Sequence, residues 1–363
     1  MSYVVAIKAA FVCFPFLLLL LFLPYMIREY HKYGSVYWYR GLILFSFLLY
    51  LLVAYFLVIL PLPSIEEVSA MTTPTMRLIP FAFVTDFIKE SGFVLQDFST
   101  YIPAFTSASF YVPVFNIFLF IPFGVYLHYY FEWDLKKTVL ASFLLSLFFE
   151  LTQLSGLYFI YPRGYRLFDL DDLLLNTFGG FLGYFLGSFF LKFLPTREAI
   201  DQKSLKMGEK VSFVRRVLAF SFDTILVSVL IGIFRLPYSY LWFLGYFGIL
   251  PLFLNGQTLF YKFFHLKIYR ETPHWYSYLE RFLFLSLEMY GFVYFAFLIV
   301  GIFSSYLGIW NFVMRWLLAL AFCIYYLLIF FKMLFHKKLF YEKFSHTFLI
   351  SALKKENSFV DEN

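Results

Sequence analysis

The chain has 363 residues, of which 62% are hydrophobic, 25% aromatic and only 14% charged. Its mean hydropathy is +0.77, and its formal net charge of +6 corresponds to a pI near 9.0. This composition excludes an ordinary soluble domain, because repeated apolar runs of about 18 or more residues read as membrane-spanning helices. The predicted class is an all-α polytopic integral membrane protein, multi-pass in the cell membrane, with the bilayer as its first partner.

Nine apolar runs are expected to span, at 9–27, 41–62, 111–131, 139–160, 173–194, 217–234, 239–260, 282–303 and 312–331. Lys and Arg fall unevenly between them. Of the 29 basic residues, 22 lie in 28–40, 132–138, 192–216, 261–281 and 332–363. The positive-inside rule assigns these segments to the cytoplasm, with the N-terminus outside and the C-terminus inside. The excess of positive charge then follows from topology and calls for no nucleic-acid partner. The first run has its basic residues, Arg28 and Lys32, on its C-terminal flank and no A-x-A-like site after it, so it reads as a retained helix. Cys13 and Cys323 fall inside predicted spans without any CxxC or Cys/His framework, so neither a disulfide nor a structural zinc is expected. No cofactor or metal is implied.

After the second run comes the only long external segment, 63–110. Within it LIPFAFVTDFIKE (78–90) mixes a dense apolar set with Asp86, Lys89 and Glu90. That pattern fits a helix lying in the outer interface, or a loop packed on the helix ends. The third run holds Asn116, followed by Pro122 and Gly124; Asn116 is either an interhelical hydrogen-bonder or part of a cavity wall. In the fourth run Ser142, Ser146, Glu150 and Gln153 recur at i, i+4, i+8 and i+11, which is one face of a helix. A polar stripe in lipid turns toward neighbouring helices. Glu150 is its costliest member: either a structural carboxyl bonded to Gln153, or part of a ligand site or proton-linked step.

The hinge 161–172, YPRGYRLFDLDD, sets Arg163 and Arg166 beside Asp169, Asp171 and Asp172. Asp169 and Asp171 suit helix N-caps. Asp172 and Asn176 continue on one face into the fifth run and are the better ligand candidates. Gly179, Gly183 and Gly187, spaced by four with Gly180 beside them, predict close backbone approach between helices. The charged stretch 195–216 reads as a linker. The predicted organisation is a five-helix module (1–195), a cytoplasmic linker (196–211), a second membrane module (212–352) and a polar tail (353–363).

In the second module Arg216 and Asp223 are about two turns apart and share a face. Asp223 needs a partner, which a basic side chain at the cytoplasmic end or one from another span would supply. Glu288 stands similarly, nearer the edge of its span, and Arg315 can snorkel to the outer interface. All six histidines, at 31, 128, 265, 274, 336 and 346, fall at or near the predicted cytoplasmic side. An external enzyme site would therefore depend on carboxylates, with or without a divalent cation held by oxygen atoms.

MRLIPFAFVTDF (76–87), NIFLFIPFGVYL (116–127), the Glu150/Gln153 pair and FDLDDLLLNTFGGFLGYFLG (168–187) together resemble the VanZ-like family over about 10–195. The resemblance implies a bacterial envelope membrane protein associated with low-level resistance to teicoplanin-type glycopeptides. It also implies that the family's polar positions are Asn116, Glu150, Gln153, Arg166, Asp169, Asp172 and Asn176. One departure is that the usual Asn-Leu-Ile-Pro-Phe here begins with Arg77. FVRRVLAFSFDTILV (213–227), NGQTLFYKFFHLKIY (255–269), Arg281 and LFYEKFSHTFLI (339–350) resemble an RDD domain over about 212–352. That implies Arg216, Asp223 and Glu342 as its polar residues, with Glu342 in place of the family's second Asp.

Three functions follow. The first is a protein that binds or shields an envelope lipid, a lipid-linked precursor or a lipoglycopeptide tail at its outer face, through Asn116, Glu150, Gln153, Arg163, Arg166, Asp169, Asp172 and Asn176. The second is a transporter with Glu150, Asp223 and Glu288 as a proton or cation relay. The third, a membrane enzyme acting on a lipid-linked glycan, has no nucleophile or metal motif behind it.

Overall fold

The computed structural model describes residues 3–272, 274–302, 310–335 and 337–353. His336, most of the predicted loop 304–311 and the predicted polar tail from residue 354 onward lie outside them. The chain is predominantly helical. It begins with α1 (Tyr3–Tyr33) and α2 (Trp38–Ile59), then three short helices, α3 (Ile65–Ala70), α4 (Ala82–Glu90) and α5 (Tyr101–Phe105). Long helices α6 (Ala108–Tyr129), α7 (Leu135–Leu154) and α8 (Leu170–Phe190) follow, then the polar α9 (Arg197–Gly208) and α10 (Phe213–Phe234).

Among the described residues seven helices are long and apolar enough to cross a membrane: α1, α2, α6, α7, α8, α10 and Trp310–Leu334. Of the two remaining predicted runs, 282–303 falls on a helix pair, Ser277–Gly291 and Val293–Ile302, bent by 46°. The other, 239–260, gives the shorter helix Ser239–Phe253. Asn255 and Gly256 both take left-handed backbone there, which ends the helix before it reaches the roughly 20 residues a span needs. The run at 139–160 also stops early, at Leu154. Gly156, Leu157, Tyr158 and Phe159 are all left-handed, and a Cβ on Gly156 would meet the Arg163 carbonyl oxygen at 2.5 Å.

The chain divides into two compact units, Met1–Leu23 with Trp38–Asp201, and Pro24–Tyr37 with Gln202–Asn363. The first is organised by the glycine stripe of α8. Methyl groups added to Gly179 and Gly183 would each sit 2.2 Å from a carbonyl oxygen of α6, those of Ile117 and Ile121. Gly124 of α6 is in the same relation to the Gly180 carbonyl, and Gly180 also admits the Ser142 hydroxyl of α7. The backbones of α6 and α8 therefore touch, with no side chain between them. Phe120, Phe123, Leu127 and Phe149 form the adjoining apolar core, with Phe47 and Tyr50 of α2 against it. The segment 78–90 resolves as a helix, α4, and two residues on each side of the site form a short parallel bridge, β1 (Met76–Arg77) with β2 (Phe168–Asp169).

In the second unit β3 (Leu266–Arg270) and β4 (Thr347–Ser351) pair antiparallel. Hydropathy does not announce these strands, since both lie in the basic segments 261–281 and 332–363 that the charge pattern marks as connections. The fully buried Arg215 binds the turn before β3, donating to the carbonyls of Phe264 and His265, each at 2.7 Å. The expected neighbour of Asp223 differs from the sequence reading. Arg216 pairs with Glu342 at 3.0 Å, whereas Asp223 accepts hydrogen bonds from Thr258 Oγ1 (2.5 Å), the Phe260 N–H (3.0 Å) and the Tyr246 hydroxyl. Helical spacing aligned Arg216 with Asp223, but the short helix Leu259–Phe263 presents its N-terminal donors to the Asp223 carboxylate while Arg216 is taken up by Glu342.

The glycine contacts are graded, and so is their expected sensitivity. Gly183→Ala forces backbone apart and should cost about 1–3 kcal/mol. Gly187→Ala meets nothing closer than His128 Cβ at 3.2 Å and the Val125 carbonyl oxygen at 3.3 Å, about 1 Å looser than the contact at Gly183. It should be close to neutral, since helix propensity favours Ala by about 1 kcal/mol. Thermal unfolding of the two variants in detergent tests this; equal losses would mean that backbone contact is not what holds α6 to α8.

Candidate polar site in the first unit

The site grows from the irregular backbone at the ends of α2, α7 and α8. The carbonyls at the end of α2 have no partner within the helix, and side chains from the α7–α8 connection supply donors. Gln153 Nε2 and Arg166 Nη1 donate to the Val58 carbonyl at 2.8 and 2.7 Å. Tyr165 donates to Ile59 at 3.1 Å and Arg166 Nη2 to Leu60 at 2.7 Å. Burial pushes the Tyr165 hydroxyl up to about 12, so it stays a donor at any physiological pH. Arg163 donates to the Met71 and Thr73 carbonyls in the long loop.

The carboxylates do the complementary work. Asp169 caps α8, accepting from the Asp171 N–H at 3.0 Å. Asp171 does not cap its own helix; it accepts from the N–H groups of Phe81 (2.6 Å) and Phe83 (2.8 Å) and so caps α4. Glu150, only 3% exposed, accepts from the Asp169 N–H at 3.1 Å. It is not bonded to Gln153, which is committed to α2. Asn116 of α6 donates to Asp172 at 2.6 Å, and Asn176 donates to Ser146 Oγ at 2.9 Å. The buried Oδ1 of Asn176 has no donor among the described residues.

Arg77 ties this cluster together. Its Nε donates to Asp169 at 3.0 Å and its Nη2 reaches the same oxygen, while Nη1 donates to Asp86 at 2.5 Å. The hydrogen bonds it donates, first to Asp169 and then to Asp86, hold the guanidinium above its ordinary pKa. Sequence reasoning noted Arg77 only as a departure from a motif and gave Asp86 no role. The one available signal was a basic residue in a segment otherwise poor in Lys and Arg.

Beside the cluster is a cavity of about 540 Å³, lined by Met71, Met76, Arg77, Tyr165, Arg166 and Leu167 among others. Its polar wall is made by two arginines; Glu150, Asp172, Asn116 and Asn176 do not line it. The eight candidate residues thus gather around one set of helix ends. The acids and amides form a hydrogen-bonded layer beneath, and of the arginines Arg166 and Arg77, but not Arg163, line the open space.

Residues 47–191 match the VanZ/LLP1 family model, and this stretch contains all eight candidate residues together with Arg77. No curated protein and no solved structure matches the chain.

The Arg77–Asp169 contact should be energetically coupled. Removing Arg77 leaves the buried Asp169 carboxylate with two donors fewer, so Arg77→Ala should lower stability by about 1–3 kcal/mol. Arg77→Ala combined with Asp169→Ala should cost less than the sum of the two single variants. A double-mutant cycle by thermal unfolding measures this, and strict additivity would show that the pair does not organise the loop.

Proposed function

We propose that the first unit binds the anionic head of an envelope amphiphile at the outer membrane face and thereby lowers susceptibility to lipophilic, teicoplanin-type glycopeptides. The amphiphile is an envelope lipid, a lipid-linked precursor or the glycopeptide itself. The observation that carries this reading is the cavity with Arg77 and Arg166 on an otherwise largely apolar wall. Among the described residues no carboxylate lies within ion-pair distance of Arg166, whose hydrogen-bond partners are the Val58 and Leu60 carbonyls, so the guanidinium is not closed off by a direct ion pair. Guanidinium forks suit phosphate and carboxylate oxygens. Leu78, Ile79, Phe159 and Ile160 present exposed apolar surface on the same loops, where an acyl or prenyl tail would lie. The match of 47–191 to the VanZ/LLP1 family model supports the envelope setting.

On this reading Glu150, Asp169 and Asp172, with Asn116 and Asn176, hold the frame, while Arg77 and Arg166 do the recognition. The distribution of Lys and Arg supports an outside N-terminus and a cytoplasmic C-terminus, with the long loop outside. The second unit we read as an RDD-like module with Arg216, Asp223 and Glu342 as its polar residues. A proton relay through Glu150, Asp223 and Glu288 has less support, because each of these acids accepts backbone N–H groups that fix local structure.

Two measurements test the proposal. In a susceptible bacterial host, expression should reduce teicoplanin susceptibility, and Arg166→Gln should abolish that effect at unchanged protein level. A variant that protects as well as the unmodified protein rejects it. In purified protein, Arg166→Gln should weaken retention of anionic envelope lipid about tenfold or more, as expected for losing a charge-assisted hydrogen bond of about 1.5–3 kcal/mol. Equal lipid content by mass spectrometry would exclude Arg166 as the anion-binding group.

A further inference from the structure

The second unit repeats itself. In its first half α10 carries Arg216 and, seven residues on, Asp223; the helix Ser239–Phe253 follows, then the short helix Leu259–Phe263, left-handed His265 and β3. In its second half the helix starting at Ser277 carries Arg281 and, seven residues on, Glu288. The helix Trp310–Leu334 follows, then the short helix Phe340–Phe344, left-handed His346 and β4. Short helices, histidines and strands correspond at a constant offset of 81 positions. Each acid caps the short helix of its own half. Asp223 accepts from the Phe260 N–H at 3.0 Å, and Glu288 from the Tyr341 N–H, the counterpart of Phe260, at 2.9 Å.

The strand register makes the relation geometric. In the β3–β4 ladder Ile268 pairs with Leu349, its own counterpart, and the other pairs fall symmetrically about that one. This is the self-complementary contact of a two-fold axis. The sequence keeps only a trace, LFYK at 259–262 against LFYE at 339–342, one residue out of structural register.

Between the halves lies a cavity of about 750 Å³, walled by Phe220, Thr224 and Phe247 from the first half and Phe282, Ser286 and Tyr290 from the second, among others. No Asp, Glu, Lys, Arg or His lines it. Its two aliphatic hydroxyls are turned back on their own helices, Thr224 to the Phe220 carbonyl at 2.8 Å and Ser286 to the Phe282 carbonyl at 2.9 Å. Both π-helical turns of the unit, Gly245–Ile249 and Leu287–Gly291, contribute to its wall, and such turns are enriched at functional sites. Interfaces between repeats are also where membrane proteins of duplicated architecture place their ligands. We infer that the second unit is an internal duplication whose interface cavity takes the hydrocarbon chain of a membrane lipid. A wall with neither charge nor free aliphatic hydroxyl selects for a chain and against a polar head. The inference stands apart from the anion site of the first unit.

The full chain in dodecyl maltoside is titrated with a diacylglycerol bearing a pyrene-labelled acyl chain, which has no anionic head for the first unit, and label co-eluting with protein is measured. Binding should saturate, be displaced by oleic acid and be indifferent to glycerol 3-phosphate. Ser286→Phe, which fills the cavity, should lower retention at least about tenfold, while Ile233→Phe on the exposed face of α10 should leave it unchanged. Thr224→Phe fills the opposite wall and gives the same reading if Ser286→Phe does not yield monodisperse protein. Retention that never saturates, displacement by glycerol 3-phosphate, or full retention in a folded filled variant overturns the inference.

Discussion

A charge buried among Phe and Leu must find hydrogen bonds, and here it finds them largely in the main chain. Asp171 accepts from Phe81 and Phe83, Glu150 from Asp169, Asp223 from Phe260, and Glu288 from Phe340 and Tyr341. The arginines mirror this: Arg163, Arg166 and Arg215 donate to backbone carbonyls. The reciprocal need is as strong. Helix ends and turns leave N–H and C=O groups that an apolar solvent cannot satisfy. These buried ionic side chains thereby fasten irregular backbone, and the two desolvation costs offset each other.

In the first unit this rule builds a rigid frame. The α6–α8 contact, closed by glycine, sets the height of Asp172 and Asn176 against Asn116 and Ser146. The frame ends in the α2 carbonyls above and the α4 N-terminus beside it, both held by side chains from the α7–α8 connection. Arg77, anchored by Asp169 and Asp86, joins the long loop to that frame. Acids and amides are spent on structure, and cationic groups are left facing the cavity. The division of labour explains why a cluster rich in carboxylates presents a basic wall.

In the second unit the same rule is applied twice. An acid on a long helix caps a short helix, which turns through a left-handed histidine into a strand, and the two strands close on each other. Asp223 and Glu288 thus hold corresponding places in two copies of one device, and the space enclosed between the copies is lined mostly by apolar side chains and by no charged one.

Much of this was legible from residues alone. Apolar runs predicted membrane-length helices, the i, i+4, i+8 spacing placed Ser142, Ser146 and Glu150 on one face, and the four-residue glycine period predicted close helix approach; all three are short-range patterns with helical period. What lay beyond reach was pairing across long sequence distance. Arg77 meets Asp169 across 92 residues and Arg216 meets Glu342 across 126, and nothing periodic links such positions. The helix that Asp171 caps, the exchange of Asp223's expected cation for hydroxyl and amide donors, and the self-pairing of β3 with β4 belong to the same class. Local hydropathy and spacing determined which segments are helical and which face of each is polar, because burial acts on every turn alike. Only the tertiary structure decided which donor answers which acceptor, because that depends on where the chain returns in space.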